Sequence, residues 1–392
     1  MCSKHMATLL KYAASPWWVK DNMRLIFRLY HKGDYTLKNR KKPIGIIITI
    51  SIVLLLTIVT LLGWAYYNSK LDLIQYDDGS KEIDTSTSYA IDNDELDIAD
   101  LPDAPEDVDA SVKIEVLEGD IYHDNNVVNI LLLGTDERTD EFNENARADA
   151  IMVMSLNTKE HTIKLISIER GIGVPVPGRN DDWITHTFRY GGAALTMQTV
   201  RDCFKLDVER YVRVNFNVVS KAIDKIGGVD IELTQAEAEH LNSAKKNYYE
   251  SGSDIQTVRA GTNHLNGDTA MAYARIRKID SDWKRIERQR TVIQAAINQV
   301  KNSDIFTLNA LADAILPMVQ TNLTKAEITR LMLEVPVFLS EGSKMEQMTI
   351  PTYETCWNSV GVDGRKMIGV DFEANAQILR EFFYGTHDGI SE

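Results

Sequence analysis

The chain has 392 residues, with 43 Lys+Arg against 57 Asp+Glu, a formal charge of −14 and three Cys. That acidity excludes nucleic-acid binding by bulk charge, which needs a basic footprint to neutralise phosphates. Three Cys exclude a disulfide scaffold and a four-ligand zinc ribbon or finger, and the length leaves ample room for a core.

Residues 1–43 hold ten Lys/Arg and two acids, Asp21 and Asp34, and form a basic N-terminal segment. From Pro43 to Ser69 no charge occurs, and Ile, Leu and Val dominate. At ~1.5 Å per helical residue this run can cross a ~30 Å hydrocarbon core, so 44–68 is predicted to be a single transmembrane helix. It is too long and too far from the N-terminus for a signal peptide, and Trp64, Tyr66 and Tyr67 at its end suit the membrane interface. Arg40, Lys41 and Lys42 on one flank face 18 acids and two Lys in residues 71–125 on the other. The positive-inside bias therefore predicts a cytoplasmic N-terminus and an external C-terminal bulk. Residues 69–114 read as an acidic external tether, too poor in apolar residues to offset their ordering entropy.

From Val127 strand-like and helix-like runs alternate. Strands are predicted at Val127–Leu133, Ala150–Leu156, Thr162–Ile168, Tyr211–Phe216 and Val229–Leu233. Helices are predicted at Ala193–Lys205, Asn217–Ile226 (ended by Gly227-Gly228), Trp283–Lys301, Phe306–Val319, Lys325–Val335 and Glu373–Phe383. The pattern implies an α/β sandwich with one sheet between helical layers.

Ligand sites on such sheets lie off the strand ends. The first strand runs into Gly134-Thr135-Asp136-Glu137-Arg138, Arg147-Ala148-Asp149 precedes the second, and Glu169-Arg170-Gly171 follows the third. Downstream, Tyr273 to Arg290 packs in Arg275, Arg277, Lys278, Lys284, Arg285, Arg288 and Arg290. Arg285, Arg288 and Gln289 fall at i, i+3 and i+4, one side of a helix. Singly each feature is a turn or a solvated face. Together, in residues 126–392, which hold 30 Lys/Arg and 37 acids, they point to a polyanionic ligand gripped by guanidinium forks. Asp136 and Asp149 are hard oxygen ligands for Mg²⁺ (or Mn²⁺), which takes one or two carboxylates plus phosphate oxygens. No Walker loop, Gly-x-Ser-x-Gly elbow or His-Glu-x-x-His occurs. His186 and His264 read as structural; Cys203 and Cys356 could pair outside the cell or stand as two buried thiols, the sequence favouring the latter slightly.

With these residues assembled, the chain resembles the LytR-CpsA-Psr family of cell-wall glycopolymer ligases over residues 115–385, with 386–392 a tail. The resemblance rests on Asn129–Asp136, Arg147-Ala148-Asp149, Ile168-Glu169-Arg170, Ile184-Thr185-His186 with Tyr190-Gly191-Gly192, Gly227-Gly228-Val229-Asp230, Leu265-Asn266-Gly267 and Tyr273–Arg290. It implies an α/β/α sandwich with a central mixed sheet and a polyprenyl-lipid tunnel. It also implies transfer of a polyprenyl-pyrophosphate-linked glycopolymer to a muramoyl hydroxyl of peptidoglycan. By position, Asp136 and Asp149 match the family's metal-associated acids, while Arg147, Arg170, Arg275, Arg277 and Gln289 match its pyrophosphate set. Arg138, Arg285, Arg288 and Arg290 are secondary candidates, and Asp149 is the candidate base. One departure stands out: Glu169-Arg170-Gly171 replaces the family's usual Pro-Arg-Asp. On a continuing strand Glu169 and Gly171 would share a face. Two other readings stay open on the sequence, a polyprenyl diphosphate hydrolase and a non-catalytic lipid-diphosphate-binding or regulatory module.

Overall fold

The computed structural model describes residues 43–87, 89, 96, 98–106, 108, 113–137, 141–247, 253–277, 279–338 and 345–385. Contacts divide the chain into two units, Met1–Ala65 and Tyr66–Glu392. Helix α1, Pro43–Leu71, is the apolar run. Its stretch Ile52–Leu71 is long and apolar enough to cross a membrane, and Leu54, Leu55, Val59 and Leu62 are exposed, as side chains solvated by lipid must be.

The second unit follows in chain order. Strand β1 is Gln75–Tyr76, β2 Val127–Thr135, β3 Ala148–Asn157, β4 Thr162–Ile168, β5 Gly173–Val174 and β6 Asp182–Trp183. Helix α2 spans Ile184–Phe204, then come β7 Arg210–Asn215, α3 Phe216–Lys225, β8 Val229–Leu233, α4 Gln235–Asn247, β9 Gly261–Leu265 and α5 Gly267–Ala274. Helices α6 Asp282–Lys301 and α7 Ile305–Ile315, strand β10 Gln320–Thr321 and helix α8 Lys325–Phe338 precede β11 Met345–Ile350, β12 Cys356–Val360, β13 Lys366–Val370 and α9 Phe372–Tyr384.

Seven strands form a mixed sheet in the order β1-β10-β7-β2-β3-β4-β11. The pairs β2/β3 and β3/β4 are antiparallel, and β2/β7 and β4/β11 are parallel. Strand periodicity sends Leu131, Leu133, Ile151, Val153, Ile166 and Ile168 to one face, where Phe188, Val200 and Phe204 of α2 and Leu379 and Phe383 of α9 complete the main core. The opposite face carries Ile130, Leu132, Met154, Leu156 and Val212 beneath Ile328, Leu331 and Phe338 of α8. The sheet thus lies between helical layers. A third cluster joins α3, β8, β9, α5 and α6 through Ile223, Val229, Ile231, Leu265, Tyr273 and Val292.

The acidic tether is the main correction to the sequence reading. Leu71 and Ile74 are buried, β1 extends the sheet edge beside β10, and Leu96, Ile98 and Leu101 enter the main core. Ala194 N donates to Gly79 O at 2.9 Å, a close approach that Gly192 (φ 69°) permits, since a Cβ there would stand 2.6 Å from that oxygen. Low average hydrophobicity concealed a few well-spaced apolar anchors. Cys203 and Cys356 are buried free thiols, as expected, with burial pushing both pKa values up, to about 12 and about 11.

Candidate active site

The site gathers at one end of the sheet, where β2 leaves, β3 enters and β4 ends. In the β2/β3 ladder Gly134 pairs with Ala150 and Thr135 with Ala148, so Asp149 is the extra residue of a β-bulge. A bulge re-aims one side chain off the ladder. Here it turns the Asp149 carboxylate into a ring of arginines. Oδ1 lies 3.4 Å from Arg170 Nη1 and 4.0 Å from Arg147 Nε, and Oδ2 lies 3.6 Å from Arg277 Nη2. Burial alone would raise the pKa of Asp149, but the guanidiniums of Arg170, Arg147 and Arg277 hold it below the ordinary carboxylate range.

Asp136 completes the neighbouring pair. Its Oδ1 accepts from Arg147 N at 2.9 Å and its Oδ2 from Arg147 Nε at 3.2 Å. The two carboxylates therefore flank one nitrogen. Arg170 is the buried hub: its side chain is 1% exposed and its Nε lies 3.4 Å from Asp282 Oδ2. Asp282 opens α6, where a negative charge suits the helix dipole, and also pairs with Arg285 Nη2 at 3.0 Å. Arg285 Nε and Nη1 are buried without a hydrogen-bond partner. Burial, then the like charges of Arg170 and Arg285, push Arg277 down to about 10. Cations crowded this way, with buried donors unmet, are arranged for an anion.

The motif Glu169-Arg170-Gly171 does not continue the strand. β4 ends at Ile168 and the chain turns, so the shared-face geometry expected for Glu169 and Gly171 does not arise. Glu169 is buried, with Oε1 accepting from Gly171 N at 3.3 Å and Oε2 unpartnered. Burial and then the Asp282 carboxylate raise its pKa to about 8, against Arg285 and Arg170. The position where an aspartate side chain would start is filled: a Cβ on Gly171 would stand 2.5 Å from Leu96 Cδ1, and Leu96 is 2% exposed.

Other candidates stand elsewhere. Arg288 is held by Glu237 through Nε (2.7 Å) and by Asp280, facing the third cluster rather than Asp149. Sequence spacing put it beside Arg285, but its partner Glu237 lies far away in the chain. Arg290 donates to Met348 O (3.2 Å) and Thr349 Oγ1 on β11. Arg275 is exposed, its guanidinium 4.9 Å from the Phe216 ring. Gln289 is half-buried on α6, and Arg138 lies outside the described residues. His186 is structural: Nδ1 lies 2.9 Å from Asp182 Oδ1 and its ring stacks on Trp183. His264 ties β9 to Asp230 and Gly227 O. Sequence reasoning missed Asp282 as the bridge between Arg170 and Arg285; its i, i+3 spacing to Arg285 was the available signal.

Asp136 and Asp149 are the carboxylates here that could serve a divalent cation, although the point they are seen to flank is Arg147 Nε, at 3.2 and 4.0 Å. Among the described residues no group of three or more His, Cys, Asp or Glu could cage a metal. A small cation there would draw its remaining ligands from water and a bound phosphate.

Comparison with known proteins gives the family and the fold. Residues 93–382 match the LytR_cpsA_psr family model. A polyisoprenyl-teichoic acid–peptidoglycan teichoic acid transferase TagU of Halalkalibacterium halodurans is 34% identical over 198 residues, 50% of this chain and 60% of that protein. The TagT transferase of Bacillus subtilis is 35% identical over 175 residues, 44% of this chain and 52% of its own length. The chain thus spans between about half and two thirds of these curated relatives. A solved structure, TagT bound to LI-WTA, superposes with a TM-score of 0.53 at 26% identity, covering 69% of this chain and 94% of that one. With the family model spanning most of the chain, this protein belongs to the LytR-CpsA-Psr family.

Proposed function

We propose that the protein transfers a glycopolymer from a polyprenyl-pyrophosphate carrier to a hydroxyl of peptidoglycan, outside the membrane that α1 crosses. The observation that carries this reading is the convergence of Arg147, Arg170 and Arg277 on a bulged Asp149, with unmet donors of Arg285 beside them. Such a cluster suits a diphosphate. The relatives named as teichoic acid transferases support the substrate class. The basic residues before Pro43 and the acids after Lys70 support an internal N-terminus.

The carrier has an apolar half as well. Beyond Gly134 and Ala150, which flank Asp149 on the ladder, the same sheet face continues as Leu132, Met154, Ile130 and Val212 under α8. A prenyl chain laid along that face would keep its diphosphate at the arginine end.

In the reaction, the acceptor oxygen bonds to the phosphorus bearing the glycopolymer. The bond from that phosphorus to the bridging oxygen breaks, and polyprenyl phosphate leaves. Phosphoryl transfer of this kind is carried mainly by positioning and charge. Arg170, fixed between Asp149 and Asp282, orients the phosphate oxygens, and Arg277 meets charge developing on the leaving group. Asp149, the carboxylate nearest the arginines, takes the acceptor proton late, because its low pKa makes it a weak base until the new bond has formed. Asp136 and Asp149 would hold a divalent cation such as Mg²⁺ or Mn²⁺, which would neutralise diphosphate charge.

The test uses the full chain in proteoliposomes with polyprenyl-diphosphate-linked labelled glycan and peptidoglycan oligomers. Label on the oligomers with release of polyprenyl phosphate is the expected result. Label appearing only as free sugar phosphate would indicate a hydrolase, and tight binding without turnover a binding module.

A further inference from the structure

Helix α7 is apolar along most of its length, Ile305-Phe-Thr-Leu-Asn-Ala-Leu-Ala-Asp-Ala-Ile315, yet it has no buried residue. Phe306 is 83% exposed, and on α8 Leu333 is 75% exposed with Met332 beside it. Both helices hold the same short segment, so these uncovered side chains lie beside one feature and mark an interaction surface rather than ordinary scatter.

Their position indicates the partner. The residues that follow the apolar run of α1 are fastened to these two helices. Tyr66 Oη donates to Asn309, Lys70 pairs with Asp313, and Tyr67 Oη donates to Thr329 Oγ1 at 2.9 Å and lies 3.5 Å from Met332 Sδ. Residues four apart share a helix face, so Ile305, Asn309 and Asp313 form one stripe, and Thr329 and Leu333 another. The exposed apolar side chains therefore extend the stripes that already hold the segment leaving the membrane. The register has a direction too. From Lys70–Asp313 to Tyr66–Asn309, each step back toward the apolar run is a step toward the α7 N-terminus, where Ile305 and Phe306 stand one turn further on.

We propose that the first turn of α7, with Met332 and Leu333 of α8, seats in the interfacial layer of the bilayer that α1 crosses, so that the external unit rests on lipid. A helix start entering that layer must satisfy its own donors, and Asp304 does this by accepting from Phe306 N and Thr307 N. Tyr66 and Tyr67 on the adjoining turn are residue types that favour the same depth. Continuity with the membrane-spanning run selects phospholipid over a second copy of the chain.

The test places single spin labels at Phe306→Cys, Leu333→Cys and, as control, Val362→Cys in the full chain carrying Cys2→Ser. Val362 is an exposed apolar residue in the β12–β13 turn, with no link to the juxtamembrane segment. In phosphatidylglycerol/phosphatidylethanolamine proteoliposomes, labels at 306 and 333 should collide with oxygen in preference to an aqueous nickel chelate, and the control label should not. Equal chelate access at all three positions overturns the proposal. Protection that grows with protein-to-lipid ratio and brings dipolar broadening assigns the surface to a second copy and overturns it as well. Phe306→Trp gives an independent readout against the parent chain, whose interfacial Trp64 sets the baseline: added quenching by bromo-lipids supports the seat, and quenching no greater than the parent's in a normally melting protein refutes it.

Discussion

Replacing Arg277 by alanine separates ligand binding from folding more cleanly than any other change at the site. Arg277 reaches Asp149 at 3.6 Å with 39% of its side chain exposed, while Asp149 keeps Arg170 and Arg147. A pair so exposed contributes under ~1 kcal/mol, and its loss also relieves repulsion from Arg170 and Arg285. Melting should therefore move by no more than about 4 °C. A charge-assisted bond to a phosphate is worth roughly 1.5–3 kcal/mol, so the Kd for a prenyl diphosphate should rise about 10- to 150-fold. Arg170→Ala is the contrast. It leaves Asp149 and Asp282 facing one another without their buried cation, at a cost of roughly 3–5 kcal/mol in stability. The assay is binding of fluorescent farnesyl diphosphate to the full chain in micelles at low salt, alongside a melting curve. Unchanged affinity in Arg277→Ala, together with a melting loss like that of Arg170→Ala, would refute the division of roles.

Glu169→Gln should match the parent chain at acid pH and grow relatively more stable as pH rises. A carboxyl whose folded pKa is raised to about 8 contributes stability below its unfolded value and loses it as pH climbs toward 8, so denaturant midpoints should diverge across that window. Gly171→Asp should cost about 1–3 kcal/mol through its collision with Leu96, and Leu96→Ala should recover part of it in a double-mutant cycle; strict additivity would mean the two sites do not meet. Asp136→Asn should remove the dependence of transfer on added Mg²⁺ with little change in melting, whereas Asp149→Asn should also destabilise, because it strips the buried arginines of their shared anion. Transfer by Asp136→Asn that still saturates with Mg²⁺ would take that carboxylate out of the cation site.

Local chemistry made much of this readable beforehand. Val127–Leu133, Thr162–Ile168 and Val229–Leu233 are apolar, β-branched-rich runs, and each is a strand with at most two residues added. Met345–Ile350 and Cys356–Val360 escaped notice because their sequences, MEQMTI and CWNSV, take their strand character from parallel and hairpin partners rather than from periodicity. At the site, residue types revealed the charges but not their grouping. Nothing local except the i, i+3 spacing to Asp282 distinguishes Arg285 from Arg288, which turns to the distant Glu237. Nor does Arg147-Ala148-Asp149 announce a bulge, since the offset exists only against Gly134 and Thr135 on the neighbouring strand.

The charge balance around that bulge ties the parts together. Arg147, Arg170, Arg277 and Arg285 face Asp136, Asp149 and Asp282, and burial beside the Asp282 carboxylate favours the neutral form of Glu169, so the site carries a surplus of positive charge. A diphosphate diester would overcorrect it, leaving a negative excess in a poorly solvated place. A divalent cation on Asp136 and Asp149 would restore the balance, and the same cation without the diphosphate would worsen the surplus. The two ligands should thus favour each other's binding, as linkage requires of any pair that shares one field. Glu169 matters to this sum through its neutrality: ionised, it would cancel the surplus that draws the diphosphate in. Its burial beside Asp282 favours the neutral form, and Leu96 fills the space where an aspartate at 171 would start. On this balance the Glu169-Arg170-Gly171 sequence would favour an anion at the site.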